Sequence, residues 1–157
     1  MTKPLKPIQR IALLRLSALG DVALVVPLVR ALQQHYPQAE ITWVTSAMGA
    51  ALLEGLERVR FIVVPKPKSL KQWWQARHLL RGESFDVLLV LQASLSAHLL
   101  CPLIRAPRKI GFDAIRGKEG HGCVVNERID YAEEHFVDAY FRFGARLGVA
   151  PVSSVEW

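Results

Sequence analysis

Short apolar runs alternate with segments of helical pattern along most of the chain, and this alternation restricts the fold more than any other feature. Five runs have the length and composition of β-strands, at residues 11–16, 40–45, 61–64, 86–91 and 109–112. Strands that alternate with helices at this spacing form βαβ units with right-handed crossovers. The sequence therefore predicts an α/β fold with a doubly wound parallel sheet of the Rossmann-like type.

The segments between the runs predict five helices. The first extends to Tyr36, is apolar almost all round and contains Pro27, which should kink its axis near its first turns. The others are predicted at residues 46–53, with Ser46 as N-cap, and at 69–81, 94–104 and 132–147. A glycine follows three of them, as is typical of a helix end. Residues 111–122 are glycine-rich and predict a loop.

Composition favours one globular domain. The 157 residues are 51% apolar and 22% charged, with a formal net charge of +6. Cys101 and Cys123 are too few for a disulfide framework and show no metal-ligand spacing, so a reducing compartment is expected. Residues 87–104 carry no formal charge, but their polar residues favour a strand, a turn and a buried helix over a membrane span. A soluble protein is therefore expected.

The loop after the first predicted strand, Ser17-Ala18-Leu19-Gly20-Asp21, is the first candidate site, because ligands of open parallel sheets bind at the carboxyl ends of strands. Gly20 is predicted to permit a tight turn with positive φ, with backbone amides facing an anion. The loop lacks the GxGxxG pattern, and no GxxxxGK[ST] occurs. Asp21 has two interpretations, an N-cap carboxylate or a general base in a cleft.

A basic stretch between Glu57 and Glu83 is the second candidate. It holds seven Lys and Arg residues, no acidic residue, and the adjacent Trp73 and Trp74. Such a stretch is usually a solvated helix face with packed aromatics. The functional alternative is a surface that meets an anionic partner such as a phosphorylated lipid headgroup. Nucleic acid is not expected, since no nucleic-acid-binding motif accompanies it.

Several short motifs occur in a fixed order. They are 14–22 (LRLSALGDV) with Pro27, 41–44 (ITWV), 85–89 (FDVLL), 91–95 (LQASL), 109–113 (KIGFD), Arg116, Lys118, 126–129 (NERI) and 135–138 (HFVD). Together they resemble the ADP-heptose:lipopolysaccharide heptosyltransferases, glycosyltransferase family 9, and most of all the heptosyltransferase I type. The resemblance covers nearly the whole chain.

The resemblance implies the N-terminal half of a two-domain GT-B glycosyltransferase. Residues 1–148 would be the acceptor-binding domain and 149–157 the start of an inter-domain linker. The C-terminal nucleotide-sugar domain would be absent from this chain and would bind the donor ADP-heptose. The expected reaction is an inverting transfer of heptose to Kdo of the lipopolysaccharide inner core, without metal or cofactor. The isolated chain is expected to transfer no sugar.

The resemblance also assigns roles and partners. Asp21 would be the catalytic base that takes a proton from the acceptor hydroxyl. The acceptor-binding residues would be Ser17, Gly20, Gln92, Ser96, Asp113, Arg116 and Lys118. Ser96 stands where the family usually carries Lys or Arg. The expected partners are Kdo-lipid A, the missing domain and the inner-membrane surface, at which the protein would be peripheral on the cytoplasmic face.

Two other functions fit the residues. A non-catalytic remnant or stand-alone binding module of the same fold would explain the short chain and the missing cation at Ser96. A free-standing nucleotide-binding domain is supported only by the Gly20 turn and lacks the phosphate-binding fingerprints.

Overall fold

Six parallel strands form one sheet, which confirms the predicted α/β fold and its doubly wound arrangement. The computed structural model describes residues 7–113, 124–130 and 136–149. The strands are β1 (Arg10–Leu14), β2 (Glu40–Thr45), β3 (Val59–Val63), β4 (Val87–Val90), β5 (Arg108–Gly111) and β6 (Glu127–Arg128). They lie in the order β3-β2-β1-β4-β5-β6, with parallel pairing throughout.

Helices cover both faces of the sheet. They are α1 (Leu19–Ala23), α2 (Val26–His35), α3 (Ala47–Leu52), α4 (Leu70–Leu80), α5 (Leu95–Leu100) and α6 (Phe136–Ala145), with a short 3₁₀ helix at Cys101–Leu103. Alternate side chains of each strand point to opposite faces, so the central strands supply two cores. In β1, Leu13 belongs to the core beneath α2 and α6, and Leu14 to the core beneath α4 and α5.

The winding of the chain reverses between β1 and β4. Leu14 pairs with Val44 of β2 on one side and with Val90 of β4 on the other. From β1 the chain builds outward to β3, and from β4 it builds the opposite way to β6. The carboxyl ends of β1 and β4 therefore border the crevice in which open α/β sheets bind their ligands.

The first predicted helix is two helices rather than one kinked helix. α1 ends at Ala23, and α2 begins at Val26. Pro27 lies in the first turn of α2, where a backbone N–H has no partner within the helix to lose. The proline therefore helps to start a helix. The prediction of one continuous helix through Pro27 was wrong.

Three later helices begin as the sequence predicts, but the single helix predicted at 94–104 is wrong at its end, because the α-helix stops at Leu100 and Pro102 lies in the 3₁₀ helix that follows. Ser46, Ser69 and Ser94 each accept a hydrogen bond from the backbone N–H three residues on, at 3.2, 3.3 and 3.2 Å. Gly82 and Gly148 follow α4 and α6 with φ angles of +81° and +79°, which only glycine adopts without strain. These local signals make the helix boundaries predictable.

The uncharged segment 87–104 is β4, a turn, α5 and the 3₁₀ helix, as predicted. Across residues 7–113, 124–130 and 136–149, no helix is both long and apolar enough to cross a bilayer. Cys101 is a buried core residue, and burial raises the pKa of its thiol to about 12.

An ion-pair cluster lies at the amino end of the sheet. Glu83 accepts hydrogen bonds from Arg60 and, at 3.1 Å, from Arg10. The hydrogen bond from Arg60 is the main reason that the pKa of Glu83 is lowered. The carboxylate of Glu83 is thus already neutralised by two guanidinium groups.

The two glycines of α1 and α3 give a matched test of this packing. A Cβ on Gly49 would lie 2.3 Å from Oγ1 of the buried Thr45, whereas a Cβ on Gly20 would meet no atom within 4 Å. We expect Gly49→Ala to lower the free energy of unfolding by about 1–3 kcal/mol through overpacking. Gly20→Ala should leave it unchanged or raise it by up to ~1 kcal/mol. Urea denaturation measures both, and equal effects would contradict the packing of α3 against β2.

Candidate active site

Gln92 joins the loops that follow β1 and β4. Its Oε1 accepts hydrogen bonds from the backbone N–H groups of Leu16, at 2.8 Å, and Ser17, at 3.2 Å. Its Nε2 donates to Oγ of Ser94 at 2.8 Å, and Ser94 is the N-cap of α5. One buried amide therefore fixes both walls of the crevice and the start of the helix behind it.

The β1 loop is also held from the side of β2. Trp43 donates from Nε1 to the carbonyl oxygen of Arg15 at 3.2 Å. Ser46 donates to the carbonyl oxygen of Leu16 at 2.8 Å while it caps α3. The backbone of the loop is thus anchored by both strands that flank β1.

A buried arginine aims the carboxylate at the mouth of the crevice. Arg15 donates from Nη1 to the carbonyl oxygen of Leu91 at 2.7 Å, and its Nη2 lies 2.9 Å from Oδ2 of Asp21. The side chain of Arg15 is 11% exposed and that of Asp21 is 42% exposed. The guanidinium of Arg15 is therefore fixed in the protein, and it orients the carboxylate of Asp21, which is exposed to solvent.

Asp21 is not the N-cap of α1. It is the third residue of the helix, the N-cap position is occupied by Ala18, and no side chain caps the helix by a hydrogen bond. The cap interpretation was wrong, because Asp21 pairs with Arg15 instead. Arg15 holds Oδ2 of this carboxylate, and the side chain of Asp21 stays 42% exposed to solvent.

Gly20 also differs from its prediction. It is an ordinary residue of α1, and the glycines of positive φ in the described part of the chain are Gly55, Gly82 and Gly148. The tight left-handed turn predicted at Gly20 was therefore wrong. The space beside its Cα is open, because a Cβ there would meet no atom within 4 Å.

The structure brings part of the predicted site together. Ser17, Asp21 and Gln92 border the β1/β4 crevice, and Ser96 lies in the first turn of the neighbouring α5. Asp113 is buried just beyond the carboxyl end of the next strand, β5. Arg116 and Lys118 lie outside the described residues.

Two residues of the site were missed from the sequence. Arg15 supplies the positive charge of the site. The sequence indicates it by placing a charged residue at the end of a buried strand, because a buried charge needs a partner. Tyr140 of α6 is buried and interacts electrostatically with both Arg15 and Asp21. Burial raises the pKa of its phenol, and Arg15 partly offsets this effect while Asp21 adds to it. A single tyrosine in a helix gives no indication in the sequence that it lies near Arg15 and Asp21.

The described groups at the crevice are a carboxylate, a guanidinium and an amide, from Asp21, Arg15 and Gln92. In the part of the chain that the structure describes, no three His, Cys, Asp or Glu side chains form a group that could hold a metal ion. The chemistry available at the crevice is proton transfer to a carboxylate and hydrogen bonding to a polar ligand.

Solved glycosyltransferase structures share the fold of this chain over most of its length. The chain matches the Escherichia coli heptosyltransferase WaaC, solved with ADP, with a TM-score of 0.79 and 22% identity, over 93% of this chain and 50% of that one. It matches a glycosyl transferase family 9 structure from Veillonella parvula with a TM-score of 0.75 and 23% identity, over 90% and 42%. The chain therefore has the fold of the N-terminal domain of a GT-B glycosyltransferase.

Comparison with curated protein sequences relates the chain to one kind of glycosyltransferase. The chain is 34% identical over 148 residues to the lipopolysaccharide core heptosyltransferase OpsX of Haemophilus influenzae. The aligned residues cover 94% of this chain and 42% of OpsX. No family model matches. By sequence and fold the chain is a relative of the glycosyltransferase family 9 heptosyltransferases and corresponds to their N-terminal domain. It spans less than half the length of the curated relative and about half that of WaaC.

Gln92 gives a direct test of how the crevice is built. In Gln92→Leu, the buried N–H of Leu16 and the N–H of Ser17 lose their acceptor. We expect the free energy of unfolding to fall by about 2–4 kcal/mol, because each unsatisfied group costs about 1–3 kcal/mol. The matched control is Gln75→Leu, on the exposed side of α4, which should change stability by less than ~0.5 kcal/mol. Urea denaturation compares the two, and equal values would contradict the bridging role of Gln92.

Proposed function

We propose that this chain is the acceptor-binding part of an inverting heptosyltransferase that transfers heptose from ADP-heptose to Kdo of the lipopolysaccharide inner core. The observation that carries the proposal is the Arg15–Asp21 pair at the β1/β4 crevice. The relationship to OpsX and the fold shared with WaaC support the reaction class.

In this proposal Asp21 is the general base. The Kdo hydroxyl gives its proton to the Asp21 carboxylate while its oxygen forms a bond to the anomeric carbon of heptose. The bond from that carbon to the diphosphate breaks at the same time, and ADP leaves with the electron pair. Attack from the side opposite the leaving group inverts the anomeric configuration.

Arg15 is the positioning residue for this base. It holds Oδ2 of Asp21, which leaves Oδ1 to accept the proton. Nη1 of Arg15 donates a hydrogen bond to the carbonyl oxygen of Leu91. This bond keeps the guanidinium in the same place when the substrate binds and when the product leaves. Orientation of the carboxylate before the acceptor arrives reduces the entropy lost on reaching the transition state.

The acceptor contacts that we propose surround Asp21. Ser17, Gly20 and Ser96 offer a hydroxyl, an open approach and a second hydroxyl near the crevice. Gln92 contributes mainly by positioning, because its carbonyl oxygen already accepts two hydrogen bonds. Asp113 limits the acceptor site on the β5 side, and Arg116 and Lys118 supply positive charge for the acceptor carboxylates and phosphates.

The remaining partners complete the proposal. ADP-heptose binds a second, nucleotide-sugar domain of the GT-B type, and the reaction uses no metal or cofactor. Kdo-lipid A is presented at the inner-membrane surface, where the protein works as a peripheral enzyme on the cytoplasmic face.

Asp21→Asn tests the base directly. The chain is joined to the donor-binding half of OpsX, and heptose transfer from ADP-heptose to Kdo-lipid A is followed. Asparagine keeps the shape and an oxygen for Arg15 but cannot take the proton. We expect the rate to fall about 10²- to 10⁴-fold with acceptor affinity retained.

The control is Asp138→Asn, which removes an exposed carboxylate from α6 with the same change of charge and should leave the rate unchanged. Transfer by the Asp21→Asn protein at the rate of the unmodified fusion would exclude Asp21 as the base.

A further inference from the structure

An exposed apolar face runs along α4 and α5, which cover the side of the sheet opposite α2 and α6. Leu70 and Trp74 of α4 are 73% and 51% exposed, and Leu95 and Leu99 of α5 are also exposed. Large apolar side chains that share one surface in this way mark a contact with a partner or a membrane.

The helical repeat explains why these residues share a face. Successive residues of an α-helix turn by about 100°, so Leu70, Trp74 and Arg77 lie on one side of α4 while Ala76 and Leu80 point into the core. Trp73 donates from Nε1 to the carbonyl oxygen of Leu99 at 3.1 Å, which fixes α4 beside α5. The two helices thus lie side by side on this face of the sheet.

Unpaired arginines border this surface. Arg77, Arg81 and Arg105 line a cleft of about 790 Å³ together with Trp74, Pro102 and Leu103. Arg77 lies over the ring of Trp74, with 4.9 Å between its Cζ and the ring centroid. Within the described residues, none of the three arginines forms a salt bridge.

The acidic residue at this cleft does not offset their charge. Glu83 also lines it, but Arg10 and Arg60 already bind its carboxylate. Lys66, Lys68 and Lys71 add positive charge near the start of α4. The face therefore combines exposed apolar side chains with an uncompensated positive charge.

We propose that the α4–α5 face docks on an anionic phospholipid bilayer. The side chains of Leu70, Trp74 and Leu99 enter the interfacial region, and Arg77, Arg81 and Arg105 bind lipid phosphates. Tryptophan and leucine beside arginine suit the boundary between acyl chains and headgroups, where apolar and anionic groups lie side by side. Charge complementarity thus favours a lipid surface over a second copy of this chain, which carries a net charge of +6.

The arginine-lined cleft of this surface is separate from the crevice. The cleft lies where α4 ends and where the chain enters β4 and β5, which is the amino edge of the sheet, whereas Asp21 and Gln92 lie at the carboxyl edge. The inference deepens the membrane association in the proposed function by naming the surface that makes it. It is tested without sugar transfer, so the two proposals can fail separately.

The test is co-sedimentation of the 157-residue chain with vesicles. We expect binding to vesicles of equal parts phosphatidylglycerol and phosphatidylcholine, weak binding to pure phosphatidylcholine, and release at high salt. The Arg77→Glu/Arg81→Glu variant should bind about thirtyfold more weakly or worse, since each basic residue near an anionic surface contributes about fivefold. Trp74→Glu should weaken binding by about tenfold or more.

Two control variants complete the design. Leu79→Glu places the same charge on the other side of α4, at a residue that is also exposed. Arg30→Glu reverses a charge on α2, on the opposite face of the sheet. Both should weaken binding far less than the variants on the α4–α5 face, and far-UV circular dichroism checks that all fold.

Three results would overturn the proposal. They are equal loss of binding in all variants, unchanged binding of Trp74→Glu and Arg77→Glu/Arg81→Glu, and no binding of the unmodified chain to anionic vesicles. Self-association through this face without vesicle binding would assign the surface to a second copy of the chain.

Discussion

The hydrogen bonds of Gln92 to the backbone of Leu16 and Ser17 are the constraint on which the rest of the site depends. They join the loops that follow β1 and β4, two paired strands between which the direction of winding reverses. Once the β1 loop is fixed, the buried guanidinium of Arg15 has one carbonyl oxygen and one carboxylate within reach. The orientation of Asp21 is therefore a consequence of how two loops are joined.

The two edges of the sheet carry different chemistry. At the carboxyl edge the buried guanidinium of Arg15 is paired with the exposed carboxylate of Asp21 and orients it. At the amino edge the carboxylate of Glu83 is held by two arginines, while other arginines stay exposed beside Trp74. An oriented carboxylate suits proton transfer, and unpaired cations beside apolar side chains suit a lipid surface. In the proposed function, acceptor chemistry and membrane contact are thus assigned to different ends of one rigid sheet.

Much of the fold could be predicted because its signals are local. Ser46 and Ser69 mark helix starts through hydrogen bonds to residues only three positions away, and the apolar strands follow from burial on both faces. The two-residue strand β6 has no apolar run and takes its place only through pairing with β5. Likewise, Asp21 could be selected from its loop, but its pairing with Arg15 depends on the tertiary fold. The predicted left-handed turn at Gly20 failed because the sequence cannot distinguish an open glycine in a helix from a turn glycine.

Calorimetric titration of this chain with a Kdo-containing acceptor and, separately, with ADP tests the central claim most directly. The account predicts saturable binding of the acceptor and no heat of binding with ADP, because the donor nucleotide is assigned to a different domain. Saturable micromolar binding of ADP by the folded chain, without binding of the acceptor, would contradict the account and assign the nucleotide site to this chain.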